Sequence, residues 1–138
     1  MRIQRKWMNV YGGALYGQKN TWPLLKVFFR SPEYSLRDIW KFFMGIIFSL
    51  KTMWNEYCHN INFIEDFTQW SIPVFFLAGR SDYNTPFELV ERYYHTINAP
   101  YKELVWFEKS AHSPSFEEPE KFDQIMIEKI LPIIDEKR

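Results

Sequence analysis

Apolar residues change their spacing near residue 71 of the chain. Over residues 36–57 they recur every three or four positions, which predicts a helix. A second apolar stripe that includes Trp40 and Phe48 makes this helix apolar on two faces, and both faces then need cover. Residues 1–34 are broken by glycines and prolines and predict irregular structure.

The second half of the chain has a different pattern. Residues 72–78 form a continuous apolar run, and a second strand is predicted over residues 103–107, which are apolar after Glu103. Short runs rich in β-branched and aromatic residues are typical of strands buried on both faces of a parallel sheet. A helix is predicted after each run, over about 86–97 and from Pro119 onward. The order strand, helix, strand, helix predicts parallel pairing through a right-handed crossover, and therefore an α/β fold class.

Polar residues and prolines mark the predicted helix ends. Ser35 precedes the first long helix and can cap its free N–H groups, with Asp38 where negative charge suits the helix dipole. Thr85 stands three residues before Glu88, a spacing that predicts a capping box. Pro132 predicts that the last helix kinks or ends there.

The composition limits the classes of function. The chain has 138 residues, 46% of them hydrophobic, enough for the core of one domain. Lys plus Arg equals Asp plus Glu at 17 each, so no net charge attracts nucleic acid or an anionic membrane. The single cysteine, Cys58, excludes an internal disulfide and a metal site of several thiolates. We therefore expect a cytoplasmic protein without a metal or cofactor. The most apolar run, 42–50, is shorter than the roughly 20 residues that span a bilayer.

Two loops that follow the predicted strands carry titratable side chains, Asp82 in the first and His112 in the second. Because the carboxyl ends of parallel strands meet at one edge, we expect these side chains to lie close together. A carboxylate that orients an imidazole leaves the second ring nitrogen able to take a proton from a nucleophile. Taken singly, Asp82 could cap a turn and His112 could be an ordinary loop histidine. His59 and His95 are interpreted as structural or exposed.

Both loops resemble segments of a known family. Residues 72–82 read Ile-Pro-Val-Phe-Phe-Leu-Ala-Gly-Arg-Ser-Asp, which is similar to the segment that presents the triad acid of α/β-hydrolases. Residues 110–122 contain Ser-Ala-His-Ser-Pro and Glu-Glu-Pro-Glu-Lys-Phe, which resemble the segment that presents the triad histidine. The resemblance is closest to the proline iminopeptidase-like branch. It implies a partial α/β-hydrolase fold, with a helical cap or lid over residues 1–71 and the C-terminal β-α-β-α part of the core over residues 72–138.

The resemblance also implies Ser-His-Asp triad chemistry, with His112 as general base and then acid, and Asp82 as its orienting partner. The family's nucleophile lies in a Gly-x-Ser-x-Gly turn. These 138 residues contain no such turn, since Leu15 occupies the serine position of the similarly spaced segment 13–17. A glycine-rich oxyanion loop is absent as well. We therefore expect the chain to be the C-terminal part of a serine hydrolase that supplies the acid and the histidine, and to be inactive alone.

Two hypotheses of different classes follow. In the first, the chain belongs to an enzyme that hydrolyses a small-molecule ester or amide, and Trp40, Phe43 and Phe48 shape its apolar substrate pocket. In the second, it is a non-catalytic remnant that acts as a protein interaction or dimerisation module. Two parallel strands leave an edge that needs cover, so a homodimer or a separate N-terminal half is the predicted partner. A membrane-surface role for residues 36–57 is disfavoured because that helix lacks a basic face.

Overall fold

The structure, a computed structural model, describes residues 2–54 and 60–135. Its elements are helical in the first half and alternate between strand and helix in the second. In chain order they are α1 (Arg2–Val10), α2 (Trp22–Arg30), α3 (Leu36–Thr52), α4 (Phe63–Asp66), β1 (Val74–Gly79), α5 (Phe87–Thr96), β2 (Lys102–Phe107), α6 (Pro114–Glu117), α7 (Pro119–Ile125), a π-helical stretch (Met126–Ile130) and α8 (Leu131–Asp135).

The chain forms two compact units. One contains Met1–Asn20 together with Gln69–Arg138, and the other contains Thr21–Thr68. The first unit therefore holds α1 and every element from β1 onward, whereas the second holds α2, α3 and α4. The division into a cap over residues 1–71 and a core over residues 72–138 stays a prediction.

The two strands pair in parallel, with Val74 opposite Lys102 and Gly79 opposite Phe107. Together with the intervening helix α5, this pairing confirms the α/β class. The expectation that the strands are buried on both faces is wrong, because most of their residues are only half-buried. Each strand has a single strand partner among the described residues, so each keeps one open edge from which solvent reaches its side chains.

Helices cover both faces of this small sheet. Phe76 of β1 meets Tyr93 of α5 edge to face, with ring centroids 5.7 Å apart. Phe107 of β2 lies 6.4 Å from Phe122 of α7 and is completely buried. Side chains alternate along a strand, and Phe107 pairs with Gly79, so Phe107 lies on the face opposite to Phe76. The sheet is thus the middle layer between α5 and α7.

The N-terminal region differs from the prediction. Residues 1–34 are not irregular throughout, because they contain α1 and α2. Pro23 lies in the first turn of α2. Backbone N–H groups in the first turn have no partner within the helix, so a proline there breaks no hydrogen bond, and its fixed φ favours the helix. Gly12 follows the end of α1 with a φ of 71°, a conformation that favours glycine. The same residue types that indicate loops therefore start and end helices here.

The predicted helix ends are partly right. Ser35 caps α3 and forms a capping box with Asp38, as predicted. The helix ends at Thr52 rather than 57, and residues 55–57 lie outside the described part of the chain. The capping box predicted between Thr85 and Glu88 is wrong: α5 begins at Phe87 and has no side-chain cap. The backbone N–H of Thr85 instead donates to Asp82, which draws this residue into the preceding loop.

Pro132 does not end the last helix, which continues to Asp135. The irregularity lies on its N-terminal side, in the π-helical stretch Met126–Ile130. There the N–H of Leu131 donates to the carbonyl of Met126, five residues back. A proline ring clashes with the carbonyl four residues before it, and a local widening of the helix is one way to relieve that clash. Separately, none of the helices in the described ranges is long and apolar enough to cross a membrane.

The cap of α3 predicts a pH-dependent first turn. The Asp38 carboxylate accepts hydrogen bonds from the N–H and hydroxyl of Ser35, and these bonds lower the pKa of Asp38. A lowered folded-state pKa means that the cap stabilises the helix above the unfolded pKa and is lost as the pH falls through the folded value. We expect Ser35→Ala to cost about 1 kcal/mol of helix stability at neutral pH.

Amide hydrogen exchange in the first turn of α3, measured against pH, checks this prediction. Protection corrected for intrinsic exchange rates should fall on acidification below about pH 4, near the pKa of an unperturbed Asp. Ser35→Ala and Asp38→Asn should both flatten that profile. Identical profiles for the wild type and the two variants would contradict the assignment of the cap.

Candidate active site

The structure brings Asp82 and His112 together at the carboxyl ends of the two parallel strands. Asp82 Oδ2 lies 2.8 Å from His112 Nδ1. Asp82 is 8% exposed, whereas the His112 side chain is 46% exposed. A buried carboxylate therefore holds one ring nitrogen while part of the imidazole faces solvent. This is the geometry that the two loops predict.

The second oxygen of Asp82 organises its own loop. Oδ1 accepts hydrogen bonds from the backbone N–H groups of Asn84, at 2.8 Å, and Thr85, at 2.9 Å. The turn-capping role considered as an alternative from the sequence is thus real, but it uses the oxygen that does not contact His112. Both roles coexist, and the turn bonds fix the direction in which the carboxylate points.

The other ring nitrogen of His112 contacts a residue that the sequence analysis missed. Asn84 Nδ2 lies 2.9 Å from His112 Nε2. With the Asn84 amide in this orientation its nitrogen donates, Nε2 accepts, and Nδ1 carries the proton given to Asp82. This arrangement corresponds to the tautomer whose Nε2 lone pair can accept a proton. The only sequence signal for Asn84 is its place two residues after the acid.

Backbone contacts bring the two loops close to each other. The N–H of Arg80 donates to the carbonyl of Phe107, at 3.0 Å, and that of Ser81 donates to Ser110, at 3.1 Å. Gly79 is the last residue of β1, and it lies directly against the loop that contains His112. A Cβ atom at this position would lie 2.0 Å from the Ala111 carbonyl oxygen, closer than any real contact. The absence of a side chain at Gly79 thus permits the loop to approach Asp82.

The segment 13–17 lies against both loops. The carbonyl of Gly13 accepts from the N–H of Tyr83 at 3.2 Å, and that of Ala14 accepts from the N–H of His112 at 3.4 Å. Ala14 and Leu15 are buried. Glycine spacing was the one feature of this segment that drew attention in the sequence. Its observed role is to give backbone acceptors to the residue after the acid and to the histidine itself.

The loop that contains His112 (residues 108–113, between β2 and α6) is called the histidine loop. Its donors are bound by the carboxylates of two adjacent residues. Glu117 Oε2 accepts from the N–H groups of Ala111 and Ser113, each at 3.0 Å. Glu118 Oε1 accepts from the N–H of Lys109 at 2.8 Å and from the Ser110 hydroxyl at 3.1 Å. The sequence analysis included both residues in the family-like segment but assigned them no contact.

One cavity is lined by both members of the pair, and a second cavity lies beside the residue that follows Asp82. The first, of about 300 Å³, is lined by residues 75–79 of β1 and by Asp82 and His112. Consecutive strand residues point to alternate faces, so a cavity that touches five in a row runs along the strand edge. The second, more apolar cavity, of about 500 Å³, is lined by Trp7, Met8, Tyr11 and Tyr83. Tyr83, which lines this second cavity, is the residue that follows Asp82 in the sequence.

Three residues predicted to line a substrate pocket belong to α3. These are Trp40, Phe43 and Phe48, in the other compact unit, and their exposed fractions are 64%, 44% and 67%. Their role in a substrate pocket stays a prediction. His95 is exposed and stacks edge to face on Tyr94. Cys58 and His59 lie outside the described residues, and within those residues no group of three or more His, Cys, Asp or Glu is arranged to hold a metal ion.

Comparison with known proteins points to a hydrolytic class. The chain is 31% identical over 111 residues to the probable aminopeptidase YbaC of Bacillus subtilis (strain 168). The match covers 80% of this chain but 35% of the relative, so the chain spans about a third of the length of the protein it matches. No protein-family model matches the chain. No solved structure matches it significantly either. The similarity suggests that the chain is related to peptidases or other hydrolases.

Proposed function

We propose that the chain is the C-terminal part of a serine hydrolase of the α/β-hydrolase superfamily, in which Asp82 and His112 are the acid and the histidine of the triad. The observation that carries the proposal is the 2.8 Å contact between Asp82 Oδ2 and His112 Nδ1, at the ends of neighbouring parallel strands. The similarity to a probable aminopeptidase supports the same class of chemistry.

In this mechanism Asp82 holds Nδ1–H and stabilises the imidazolium that forms during the reaction. Nε2 takes the proton of a serine hydroxyl as its oxygen bonds to the substrate carbonyl carbon. The same proton then passes to the leaving amine or alcohol as the carbon–nitrogen or carbon–oxygen bond breaks. Water releases the acyl group by the same sequence, with Nε2 again as base. In the 138-residue chain the Asn84 amide contacts Nε2. The Asn84 side chain must therefore move away before the serine hydroxyl can contact this nitrogen.

The nucleophile comes from outside these 138 residues in this proposal. Ser81, Ser110, Ser113 and Ser115 lie in the two loops or in α6, and none stands in a strand-to-helix turn of the nucleophile type. β1 has an open edge among the described residues, and the 300 Å³ cavity runs along that edge to His112. A further parallel strand on this edge would end beside Nε2. We propose that a separate N-terminal half, or another part of the same protein, supplies it.

The substrate class follows from the relative and from the cavities. The relative is named as an aminopeptidase, so we propose an amide bond at a free amino terminus, with esters as alternative substrates. The aromatic cavity formed by Trp7, Tyr11 and Tyr83 has the apolar character that an amino-acid side chain requires. That Trp40, Phe43 and Phe48 line a substrate pocket stays a prediction from the sequence.

The purified 138-residue chain is expected to show no turnover of an alanine nitroanilide or a short-chain nitrophenyl ester. The reason is that its sequence contains neither a Gly-x-Ser-x-Gly turn nor a glycine-rich oxyanion loop, and a triad without its nucleophile loses about 10⁶ in turnover. Absorbance at the nitroaniline or nitrophenol band measures release, with His112→Ala as the matched control. Turnover by the wild-type chain that disappears in His112→Ala would mean that the nucleophile lies within the chain.

A second candidate is a protein interaction module, and the open edge of β1 is the observation that favours it. Main-chain groups of an open edge can pair with a strand of another chain without any catalysis. The coding sequence that precedes Met1 discriminates between the two candidates. A glycine-rich loop and a Gly-x-Ser-x-Gly turn in that region, followed by activity of the assembled protein, support the hydrolase. Their absence supports the interaction module.

A further inference from the structure

We propose that Glu117 is a positioning residue for His112: its carboxylate fixes the backbone on both sides of the histidine and so places the imidazole against Asp82. The inference rests on the proposed function only in treating His112 as the general base. The contacts that carry it belong to the chain alone and do not depend on catalysis.

The hydrogen bonds of the histidine loop centre on one oxygen atom. Glu117 Oε2 accepts from the N–H groups of Ala111 and Ser113, each at 3.0 Å. The N–H of His112, between them, donates to the carbonyl of Ala14 at 3.4 Å. Three consecutive N–H groups of the loop are thus satisfied, two of them by the same carboxylate oxygen. Rotation of the peptide planes around His112 would break at least one of these bonds.

The second oxygen ties the loop to another segment. Glu117 Oε1 accepts a hydrogen bond from the N–H of Tyr16. Tyr16 belongs to the segment 13–17, which also accepts from the N–H of His112 through Ala14. One carboxylate therefore joins the histidine loop to the segment that borders it. Such charge-assisted bonds are roughly twice as strong as those between neutral groups.

The local fold explains how Glu117 reaches these donors. Soon after His112 the chain forms the single turn of helix α6, Pro114–Glu117, and the side chain of its last residue lies within hydrogen-bond distance of the loop. The neighbouring Glu118 contacts Lys109 and Ser110, which both precede the histidine. Glu118 therefore anchors the entry of the loop, whereas Glu117 holds both sides of His112.

Removal of the Glu117 carboxylate would leave backbone N–H groups of the histidine loop without their acceptor. Ala111 is fully buried, so its N–H group would lose its acceptor where water cannot easily replace it. The imidazole itself is about half exposed, so packing alone does not hold it. We expect the loop to shift and the bond between His112 Nδ1 and Asp82 Oδ2 to be lost, even where the rest of the unit stays folded.

The test is an NMR measurement on the chain labelled with ¹⁵N-histidine. The chain has three histidines, and His112→Ala assigns the signals of the one that matters. The wild type should show a neutral ring with the proton on Nδ1 and a slowly exchanging Nδ1–H proton. In Glu117→Ala that proton signal should disappear and the ring should become a mixture of tautomers. Glu117→Gln keeps a side-chain carbonyl that can accept from Ala111 and Ser113 but turns an NH2 group toward the N–H of Tyr16, so the Nδ1–H signal should persist in weakened form.

Two controls separate positioning from stability. Ile125→Ala removes a buried core side chain away from the loop, so it should destabilise the fold and yet keep the His112 signals. Glu120→Gln makes the same charge change at an exposed position of α7 and should have no effect. If circular dichroism shows Glu117→Ala to be unfolded, Glu117→Asp replaces it, because a side chain shorter by one methylene cannot reach the loop.

A folded Glu117→Ala or Glu117→Asp variant with wild-type His112 signals would overturn the proposal. Signals lost as completely in Glu117→Gln as in Glu117→Ala would also contradict it, because the carbonyl that accepts from Ala111 and Ser113 would then have no effect. The proposed function fails by a different result, namely the absence of any hydrolysis by the assembled protein. That result leaves the His112 signals unaffected.

Discussion

In the proposed hydrolase, assembled from this chain and a nucleophile-bearing part, Asp82→Asn and His112→Ala should each abolish most turnover. We expect a loss in kcat of about 10⁴ for Asp82→Asn, because an amide at this position stabilises the wrong imidazole tautomer. We expect about 10⁶ for His112→Ala, because the members of a triad act as a unit and the serine is then left without a base. KM should change little, since neither side chain has to contribute to ground-state binding.

The measurement is steady-state kinetics with an amino-acid nitroanilide, giving kcat and KM separately. His95→Ala is the matched control, since His95 is exposed on α5 and contacts a tyrosine ring rather than the pair. Wild-type kcat in Asp82→Asn would exclude Asp82 as the orienting acid. Loss of kcat in His95→Ala would mean that the effect of removing a histidine is not specific to the site.

Gly79→Ala should destabilise the unit that contains the sheet by about 3 kcal/mol, the upper part of the usual range for overpacking. The added Cβ would lie 2.0 Å from the Ala111 carbonyl oxygen and 2.5 Å from that of Ser110. Both atoms belong to backbone that is held by several hydrogen bonds, so neither can move cheaply. The histidine loop would have to rise from the end of β1, and the 2.8 Å contact between Asp82 and His112 would break.

Urea unfolding monitored by circular dichroism, together with the Nδ1–H signal of His112, measures both effects. Gly45→Ala is the natural control, because nothing lies within 4 Å of a Cβ atom at this position of α3. That variant should gain up to about 1 kcal/mol of helix stability, since glycine is a poor helix former. A Gly79→Ala variant that is as stable as the wild type and retains the His112 signal would show that the loop does not need the close approach.

The elements with a strong local signal are the ones that the sequence predicts correctly. The apolar runs of β1 and β2 are confirmed as parallel strands, and Ser35 is confirmed as the cap of α3. The errors arise where one residue type has two uses. Pro23 starts a helix instead of breaking one, and Thr85 gives its N–H to Asp82 instead of capping α5. Local preference alone cannot decide between such uses, because the deciding partner lies elsewhere in the chain.

The residues of the candidate site also fall into two groups, those that the sequence predicts and those that it does not. Asp82 and His112 are predicted because each follows a recognisable strand, and parallel strands bring their carboxyl ends to one edge. The sequence does not predict three further residues, although each contacts the histidine or its loop directly. These are Asn84, Gly79 and Glu117. Their contacts depend on how two loops fold back on each other, and no spacing rule connects residue 79 with residue 111.

By itself, the sequence determined the alternation of strand and helix after residue 71 and the placement of an acid and a histidine at two strand ends, because periodicity and chain order are local properties. Only the tertiary structure decided that both oxygens of Asp82 are in use, that the segment 13–17 borders the histidine, and that one carboxylate holds the loop on both sides of His112. These are contacts between residues up to 101 positions apart, as for Tyr16 and Glu117. Hydrogen-bond geometry at such separations is set by packing, which a linear pattern does not encode.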